Sequence, residues 1–371
     1  MKILVISQHL FPMQTPRAHR TTELVKELGK RGHEVTLYAV IGKYDYSHFE
    51  KKYGVRIKNI PLKWTIHPYN SDNDKRRTLV DKAMGKLLKR FEFPNIEFKY
   101  RISEILKIDH GYDALITIAD PHQIHWGVAT LKKKAPELVP QIWIADCGDP
   151  FMLNGRSNHL NYFEKYERLF CEQCDFLTVP VEEAKQGYYP EFRNKIKVIP
   201  QGFEFEAEQE NNEPNNPIIT FAYAGVFYND IRNPKSLLDY LSSLDIDFRF
   251  EVYSSDHSPV KHFRTKLGER LVLKSPLERK HLIQELRKKD FLINIENVNS
   301  PAQIPSKLID YGITGRPILS VNPLNINKSL IDQFINKNYS NQFIVNNLQQ
   351  YDIRHVTDNF LKLINEKQAT T

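Results

Sequence analysis

Cysteine is scarce in this sequence, and long apolar segments are missing from it. Three of the 371 residues are cysteine, and no apolar run approaches the roughly 18 to 20 residues that a membrane-spanning helix needs. The apolar residues 3–6 lead straight into a polar stretch, as a first strand does and a signal peptide does not. Without a signal peptide, the few cysteines indicate a reducing compartment. We therefore expect a cytoplasmic chain without a membrane-spanning segment.

The glycine-rich turn of dinucleotide-binding proteins is also missing. The first apolar run leads into Ser7, Gln8 and His9, and no Gly-x-Gly-x-x-Gly pattern follows it. A nicotinamide-dependent dehydrogenase is therefore disfavoured. Cys171 and Cys174 have the spacing of a metal-binding pair, but they fall within a helical pattern. No metal or redox role is predicted for them.

Short apolar segments alternate with helical patterns along the whole chain. This alternation is typical of α/β proteins, in which helices cover both faces of a parallel sheet. Two of the predicted helices span residues 18–31 and 280–288. The predicted strands are 2–6, 34–40, 55–61, 114–118, 141–145, 176–179, 196–199, 218–223, 248–253, 271–273, 291–295 and 317–321.

The length of the chain suits two domains, and its composition changes once. Residues 204–217 are acidic, rich in asparagine and carry two prolines, which is typical of an interdomain linker. We therefore expect an N-terminal domain at 1–203, a C-terminal domain at 218–352 and a last helix at 353–371 that packs back on the first domain. Two doubly wound domains would bind ligands in a cleft at the carboxyl ends of their strands.

Positive charge is concentrated between residues 75 and 90. This segment has seven basic residues and one acid, Asp81, whereas the whole chain has a formal net charge of +7. On a helical wheel of 75–91, apolar residues fill one half and most basic residues the other, as in a helix on an anionic membrane. A surface helix packed on its own core has the same pattern, so both interpretations stay open. Nucleic acid is a less favoured partner, because no aromatic platform or binding motif accompanies the charge.

The most informative segment runs from residue 303 to residue 319. Pro305 suits the first turn of a helix, and Ser306 and Asp310 lie four residues apart on one face of it. The polar loop before them ends where unpaired backbone N–H groups favour an anion. With Lys307, these groups suit a diphosphate and a ribose. An ordinary capped helix has the same pattern, so the segment alone does not decide.

Other segments, taken in order, carry a family resemblance. In the first half they include Asp120-Pro121-His122, Trp143-Ile144-Ala145-Asp146-Cys147-Gly148-Asp149-Pro150-Phe151 and Ile199-Pro200-Gln201-Gly202-Phe203. In the second half they are Phe221-Ala222-Tyr223-Ala224-Gly225, Leu271-Val272-Leu273-Lys274-Ser275-Pro276 and the segment 303–319. In this order they resemble GT-B glycosyltransferases, in particular glycosyltransferase family 4 and its Pro-Ser-Lys variant. The resemblance covers nearly the whole chain and implies two Rossmann-like domains facing a central cleft.

The resemblance implies roles for residues of the second half. Gly225 would let the backbone approach the donor phosphates, Arg232 would bind the diphosphate, and Ser275 belongs to the turn that holds the nucleobase. Asp310 falls on the acidic position that binds the ribose. The remaining donor residues would be Pro305, Ser306 and Lys307. Ala302 stands where the family has a first glutamate, so handling of the donor sugar should differ here.

The first half would bind the acceptor. The glycine pair that the family carries after the first strand falls on Thr15 and Pro16, so that Arg17 or Arg20 would have to compensate. His122 and Asp149 are the catalytic candidates. His122 is alternatively a capping or surface residue, and Asp149 is alternatively the N-cap of the following helix. The acceptor-binding candidates are Arg17, Asp120 and Asp146.

The function that this resemblance implies is glycosyl transfer from a nucleoside-diphosphate sugar to a glycan or lipid-linked acceptor. It implies retention of anomeric configuration and bacterial cell-surface polysaccharide synthesis. Lys307, Arg232 and the helix start would neutralise the leaving group, so no metal cofactor is expected. We expect a cytoplasmic protein, and the segment 75–91 leaves peripheral binding to the inner face of the membrane open. A sugar-nucleotide epimerase or hydrolase of the same fold, or a nucleotide-binding protein with impaired catalysis, remain alternatives.

Overall fold

The computed structural model describes residues 1–13, 15–64, 87–153, 159–205, 214–228, 230–298 and 306–369, without the side chain of Ser306. The chain forms two compact units. Unit 1 comprises Met1–Glu204 and Gln350–Thr371, and unit 2 comprises Phe205–Gln349. Most of the predicted linker 204–217 and residues 75–86 of the basic segment lie outside the described residues. None of the described helices has the length and apolar character needed to cross a membrane.

Unit 1 contains a seven-stranded parallel sheet with the strand order β3-β2-β1-β4-β5-β6-β7. Neighbouring residues of β1 point to opposite faces, so Leu4 and Ile6 belong to one core and Ile3 and Val5 to another. Burial on both faces explains the uninterrupted apolar runs of the central strands. The strands are β1 (Lys2–Ser7), β2 (Glu34–Ala39), β3 (Val55–Asn59), β4 (Ala114–Ile118), β5 (Ile142–Asp146), β6 (Phe176–Val179) and β7 (Ile196–Val198).

Helices cover both faces of this sheet. The helix α1 begins at Pro16, two residues before the predicted start, because Thr15 caps it by accepting a hydrogen bond from the Ala18 N–H group. The helix α11 buries Phe360 in the same core as α1. The described α-helices of unit 1 are α1 (Pro16–Lys30), α2 (Ser47–Tyr53), α3 (Ile96–Ile108), α4 (Gln123–Lys132), α5 (Glu164–Gln173) and α11 (Ile353–Gln368).

Unit 2 contains a five-stranded parallel sheet with the order β10-β9-β8-β11-β12. Its strands are β8 (Ile219–Ala224), β9 (Phe248–Tyr253), β10 (Leu271–Lys274), β11 (Phe291–Ile295) and β12 (Ile318–Val321). Its described α-helices are α6 (Lys235–Ser243), α7 (Arg264–Leu267), α8 (Arg279–Arg287), α9 (Ser306–Thr314) and α10 (Lys328–Ile335). The predicted α/β class is confirmed, and all twelve predicted strands are present with ends shifted by at most two residues.

Candidate functional site

The candidate donor site lies at the carboxyl end of the central strand of unit 2. Gly225 directly follows β8 and has a φ of 135°, a conformation that residues with a side chain rarely adopt. Its neighbour Ala224 donates its N–H group to the hydroxyl oxygen of Tyr311 at 2.8 Å. Because Tyr311 is fully buried on α9, this bond fixes α9 against the end of β8. The backbone at Gly225 is therefore held in place and unobstructed by a side chain.

Two cationic side chains meet beside Gly225. The Nζ atom of Lys307, in the first turn of α9, lies 3.4 Å from the Ile295 carbonyl oxygen and 4.6 Å from the centroid of the Tyr223 ring. Arg232 is its charged neighbour, and the Nε atom of Arg232 is buried without a partner among the described residues. Burial, followed by repulsion from Arg232, holds the pKa of Lys307 well below its usual value.

Neither Lys307 nor Arg232 forms an ion pair with a carboxylate among the residues that the structure describes. A buried cation without a counterion is costly, and the cost falls when an anion binds between the cations. The arrangement therefore suits a ligand with closely spaced negative charges, such as a diphosphate. Diphosphate binding by Lys307 and Arg232 stays a prediction.

Asp310 follows one turn after Lys307 on α9. Its carboxylate Oδ1 accepts a hydrogen bond from Nε of Arg279 at 2.8 Å, and the NH2 nitrogen of Arg279 lies at the same distance. Arg279 is the first residue of α8 and was not among the predicted site residues. The signal that could have found it is a basic residue four positions after Ser275, at the start of a helix. The pair holds the Asp310 carboxylate in one orientation.

The remaining donor candidates are less defined. Ser275 is exposed in the loop that follows β10. Ser306 begins α9, and Pro305 and Ala302 lie outside the described residues. The structure therefore brings together Gly225, Arg232, Lys307 and Asp310, with Arg279 as an addition.

The acceptor candidates of unit 1 surround a buried ion pair. Asp146, the last residue of β5, is fully buried and accepts two hydrogen bonds from Arg20, at 2.7 and 3.0 Å. The hydroxyl of Thr178 donates a third at 2.6 Å. Arg20 also donates to the carbonyl oxygens of Ile199 and Pro200. The prediction that Asp146 contacts the acceptor directly is therefore corrected: its carboxylate is occupied by protein donors and ties α1 to the ends of β5, β6 and β7.

Arg17 lies above this ion pair and is partly exposed. Its NH1 nitrogen is 3.5 Å from Oδ2 of Asp146. A Cβ atom at Gly148 would come within 2.6 Å of the NH2 nitrogen of Arg17, so the glycine makes room for the guanidinium. Arg20 makes the shorter contacts with Asp146, and the Asp120 carboxylate is a second charged neighbour of Arg17. Arg17 thus offers a positive charge at the carboxyl end of the sheet.

His122 lies beneath the loop that follows β5. Its ring is buried, and the Nε2–H group donates to the carbonyl oxygen of Asp149 at 3.0 Å. Burial lowers the pKa of His122 to about 4, so the ring is neutral near pH 7. This geometry fits a residue that positions the Asp149 backbone, and a direct catalytic contact of His122 stays a prediction. The side chain of Asp149 itself is exposed and remains accessible to an acceptor.

Asp120 follows β4 at the same edge of the sheet. It is exposed as a residue, but its carboxyl group is largely enclosed by protein, and this desolvation raises its pKa. The positive neighbours His9 and Arg17 lower the pKa, whereas Glu92 raises it further. None of the described residues donates a hydrogen bond to this carboxylate, so it is available to an acceptor hydroxyl.

One group of described residues has ligand atoms close enough together to hold a metal ion. It is the buried trio of His122, His125 and Cys147. Two of its members, His125 and Cys147, form a hydrogen-bond chain with Thr117. The Thr117 hydroxyl lies 2.7 Å from Nδ1 of His125, whose Nε2 lies 3.3 Å from the Cys147 sulfur. Burial raises the pKa of the Cys147 thiol, which disfavours the thiolate that a metal needs. The trio fits a structural role better than a metal site.

Two Asp-x-Asp tripeptides, which often bind metals in sugar-transferring enzymes, do occur in the sequence. Asp72 and Asp74 lie outside the described residues. Asp245 and Asp247 precede β9 at the amino end of the sheet, opposite the end that carries Gly225. The described tripeptide is therefore too far along the strand to reach the cations at Lys307 and Arg232.

The fold matches solved GT-B structures, whereas no protein family model and no curated protein matches the sequence. The apo lipopolysaccharide outer core galactosyltransferase WaaB has a TM-score of 0.60 at 12% identity, over 99% of this chain and 100% of that chain. Anabaena Alr3699/HepE in complex with UDP and glucose has a TM-score of 0.56 at 10% identity, over 99% and 100%. Arabidopsis thaliana UGT89C1 complexed with UDP-L-rhamnose has a TM-score of 0.54 at 11% identity, over 100% of this chain and 98% of that chain. At such identities the likeness establishes the fold alone, and that fold is GT-B.

Proposed function

We propose that this protein is a glycosyltransferase that moves a sugar from a nucleoside-diphosphate sugar to a glycan or lipid-linked acceptor. The observation that carries the proposal is the pair Lys307 and Arg232, which forms no ion pair with a carboxylate in the described part of the chain and lies beside Gly225. Within this proposal the chain belongs with family 4 in its Pro-Ser-Lys variant and acts in bacterial cell-surface polysaccharide synthesis.

Each residue of unit 2 has a distinct part in the proposed reaction. Lys307 and Arg232 neutralise the charge that develops on the departing diphosphate, without a metal ion. The Gly225 backbone admits the phosphates, and Asp310, oriented by Arg279, accepts hydrogen bonds from the ribose hydroxyls. Ser275 lies in the turn proposed to face the nucleobase.

The proposed transfer retains the anomeric configuration. The acceptor oxygen bonds to the anomeric carbon as the bond from that carbon to the phosphate oxygen breaks. The electron pair of the broken bond stays on the diphosphate, which takes the acceptor proton, so that no protein base is required. On unit 1, Asp120, Asp149 and Arg17 are the groups available to position the acceptor.

Ligands of similar folds support a nucleotide as the donor part. The HepE structures contain UDP, UDP with glucose, or UDP-glucose, and a Staphylococcus aureus MnaA structure contains UDP. We extend this chemistry to the present chain as a proposal, together with a cytoplasmic location on the inner face of the membrane.

The donor site is tested by calorimetric titration with nucleoside diphosphates. A thermal-shift panel first identifies the preferred nucleotide. Lys307→Ala, Arg232→Ala and Asp310→Ala should each weaken its binding by about 1 to 3 kcal/mol, because a charge-assisted hydrogen bond is lost. Lys288→Ala is the control, since Lys288 is exposed on unit 2 and pairs only with Glu285 among the described residues. Unchanged affinity in all three site variants would refute the assignment.

The alternatives differ in their products. An epimerase or hydrolase of this fold would turn over the donor without any acceptor. A protein impaired by Ala302 would bind the nucleotide but transfer no sugar from any donor. Product analysis with and without acceptor glycans separates these outcomes.

A further inference from the structure

Exposed apolar side chains are concentrated in one region of unit 1. Among the described large apolar residues, nine have more than half of their surface exposed. Three of these, Ile108, Leu324 and Ile344, are scattered elsewhere. The other six are Trp64, Leu87, Phe91, Tyr100, Leu153 and Tyr162.

Contacts beneath these side chains, apart from Leu153, join them into one surface. The rings of Trp64 and Phe93 lie 5.6 Å apart. The buried carboxylate of Glu97, in the first turn of α3, accepts hydrogen bonds from the backbone N–H groups of Lys63 and Trp64 at 2.6 and 2.9 Å. The residues around Trp64 are therefore fixed to the start of α3, where Tyr100 follows.

The surface continues from α3 to the start of α5. The Nζ atom of Lys99 lies 5.2 Å from the Tyr100 ring centroid and 4.2 Å from that of Tyr166. The hydroxyls of Tyr166 and Tyr162 are 3.4 Å apart, and Lys165 lies 3.7 Å from the Tyr162 ring. Aromatic rings and lysines thus alternate across the gap between the two helices.

The ionic groups of this region carry a positive excess. Its cations are Lys63, Lys89, Arg90, Lys99 and Lys165. Its acids are engaged within the protein. Glu92 pairs with His159 and accepts a hydrogen bond from Gln123. Glu97 pairs with Arg101 and accepts hydrogen bonds from the backbone. We call Trp64, Leu87, Phe91, Tyr100, Tyr162 and these five cations the aromatic–basic surface.

We propose that the aromatic–basic surface docks the protein on an anionic lipid bilayer. Amphipathic aromatic rings favour the headgroup boundary, and lysine stems cover apolar surface while their ammonium groups reach lipid phosphates. The charge excess selects anionic over zwitterionic lipid. Leu87 and Phe91, at the end of the basic segment, are exposed, which favours membrane contact over packing on the core of the protein.

The docked surface adjoins the acceptor side of unit 1. Glu92, at its border, acts electrostatically on Asp120 and accepts a hydrogen bond from Gln123 at the start of α4. A bilayer at this surface would present a lipid-linked molecule beside the carboxyl end of β4. This step rests on the proposed function and assigns the acceptor to the lipid-linked class.

Trp64 is a built-in probe of docking. The chain has three tryptophans, and Trp126 and Trp143 are fully buried. Vesicles of phosphatidylcholine with phosphatidylglycerol, carrying bromine on their acyl chains, should therefore quench and blue-shift only the Trp64 emission. Brominated phosphatidylcholine vesicles should give no change, and Trp64→Phe should lose the signal. Unchanged emission and no co-sedimentation with the anionic vesicles at low salt would overturn the proposal.

A charge-matched pair of variants locates the surface. The double variant Lys89→Glu and Arg90→Glu should weaken vesicle binding about tenfold or more, because each cation near the membrane contributes about 1 kcal/mol. The control is Lys52→Glu with Lys362→Glu, which makes the same charge change on α2 and α11, the helices of the other face. Equal weakening in both would refute this surface. Nucleotide affinity, measured on the same samples, should stay unchanged in both variants, which separates this result from failure of the donor site.

Discussion

Lys307 is the residue whose charge state should depend most on its ligand. Burial and Arg232 lower its pKa in the free protein, and a bound diphosphate would raise it again. Above the lowered pKa, binding must therefore take up a proton, and affinity should fall as the pH rises. Calorimetry in two buffers of different ionisation enthalpy should reveal this uptake. Lys307→Arg should bind without it, because arginine remains charged; uptake that persists in this variant would place the titrating group elsewhere.

Two aspartates separated by two residues should behave in opposite ways. Asp146→Asn leaves the buried charge of Arg20 uncompensated and should lower the free energy of unfolding by about 3 to 5 kcal/mol. Asp149→Asn, at an exposed side chain, should change stability by less than about 0.5 kcal/mol but reduce turnover. Urea denaturation and product formation measure the two effects. A stable Asp146→Asn protein would show that the ion pair is dispensable for folding.

These residues also show what the sequence could not reveal. Asp310 lies within a local motif, so a role could be predicted for it from the sequence, whereas its partner Arg279 lies 31 positions away. Arg20 and Asp146 are 126 positions apart, and no local pattern distinguishes a buried carboxylate from one that binds an acceptor. The sequence likewise did not reveal that the ring of His122, a catalytic candidate, is buried. Burial is decided by packing between elements, which a single sequence does not specify.

At the scale of elements, strands were the most predictable features because burial on both faces demands continuous apolar runs. The start of α1 is set by the helix-capping residues Thr15 and Pro16. The spacing of apolar residues along the helix does not contain this signal. The last helix, α11, illustrates packing between distant elements. Its buried residues Ile353, Val356, Phe360, Leu363 and Ile364 share a core with α1 and the first sheet.

Phe360 should therefore be a main contributor to the stability of unit 1. Its fully buried ring lies under the guanidinium of Arg20, at 5.1 Å from the ring centroid. Phe360→Ala should cost about 3 to 5 kcal/mol, because it removes buried surface and leaves a cavity. Lys362→Ala, two residues on and exposed, should be nearly neutral. Denaturation of both variants measures their free energies of unfolding. Equal values would mean that α11 is only loosely attached to unit 1.

At the scale of the whole molecule, the two units have separate cores and carry different parts of the proposed reaction. The candidate donor residues all belong to unit 2, and the acceptor residues to unit 1. A nucleoside diphosphate without its sugar should therefore stabilise unit 2 selectively. At 100 times its dissociation constant, the gain for the unit that binds it is about 2.7 kcal/mol.

Hydrogen exchange can resolve this selectivity along the chain. With the preferred nucleoside diphosphate, amide protection should rise around Gly225, Arg232 and α9, and the rest of the unit 2 core should follow, because exchange there requires opening of the stabilised unit. The central strands of unit 1 should exchange as before. The Lys307→Ala variant, at the same nucleotide concentration, should show little of this protection, since fewer molecules are occupied. Protection that rises equally in both sheets would mean that the two units open as one cooperative body, so that nucleotide binding to unit 2 is energetically coupled to the acceptor side.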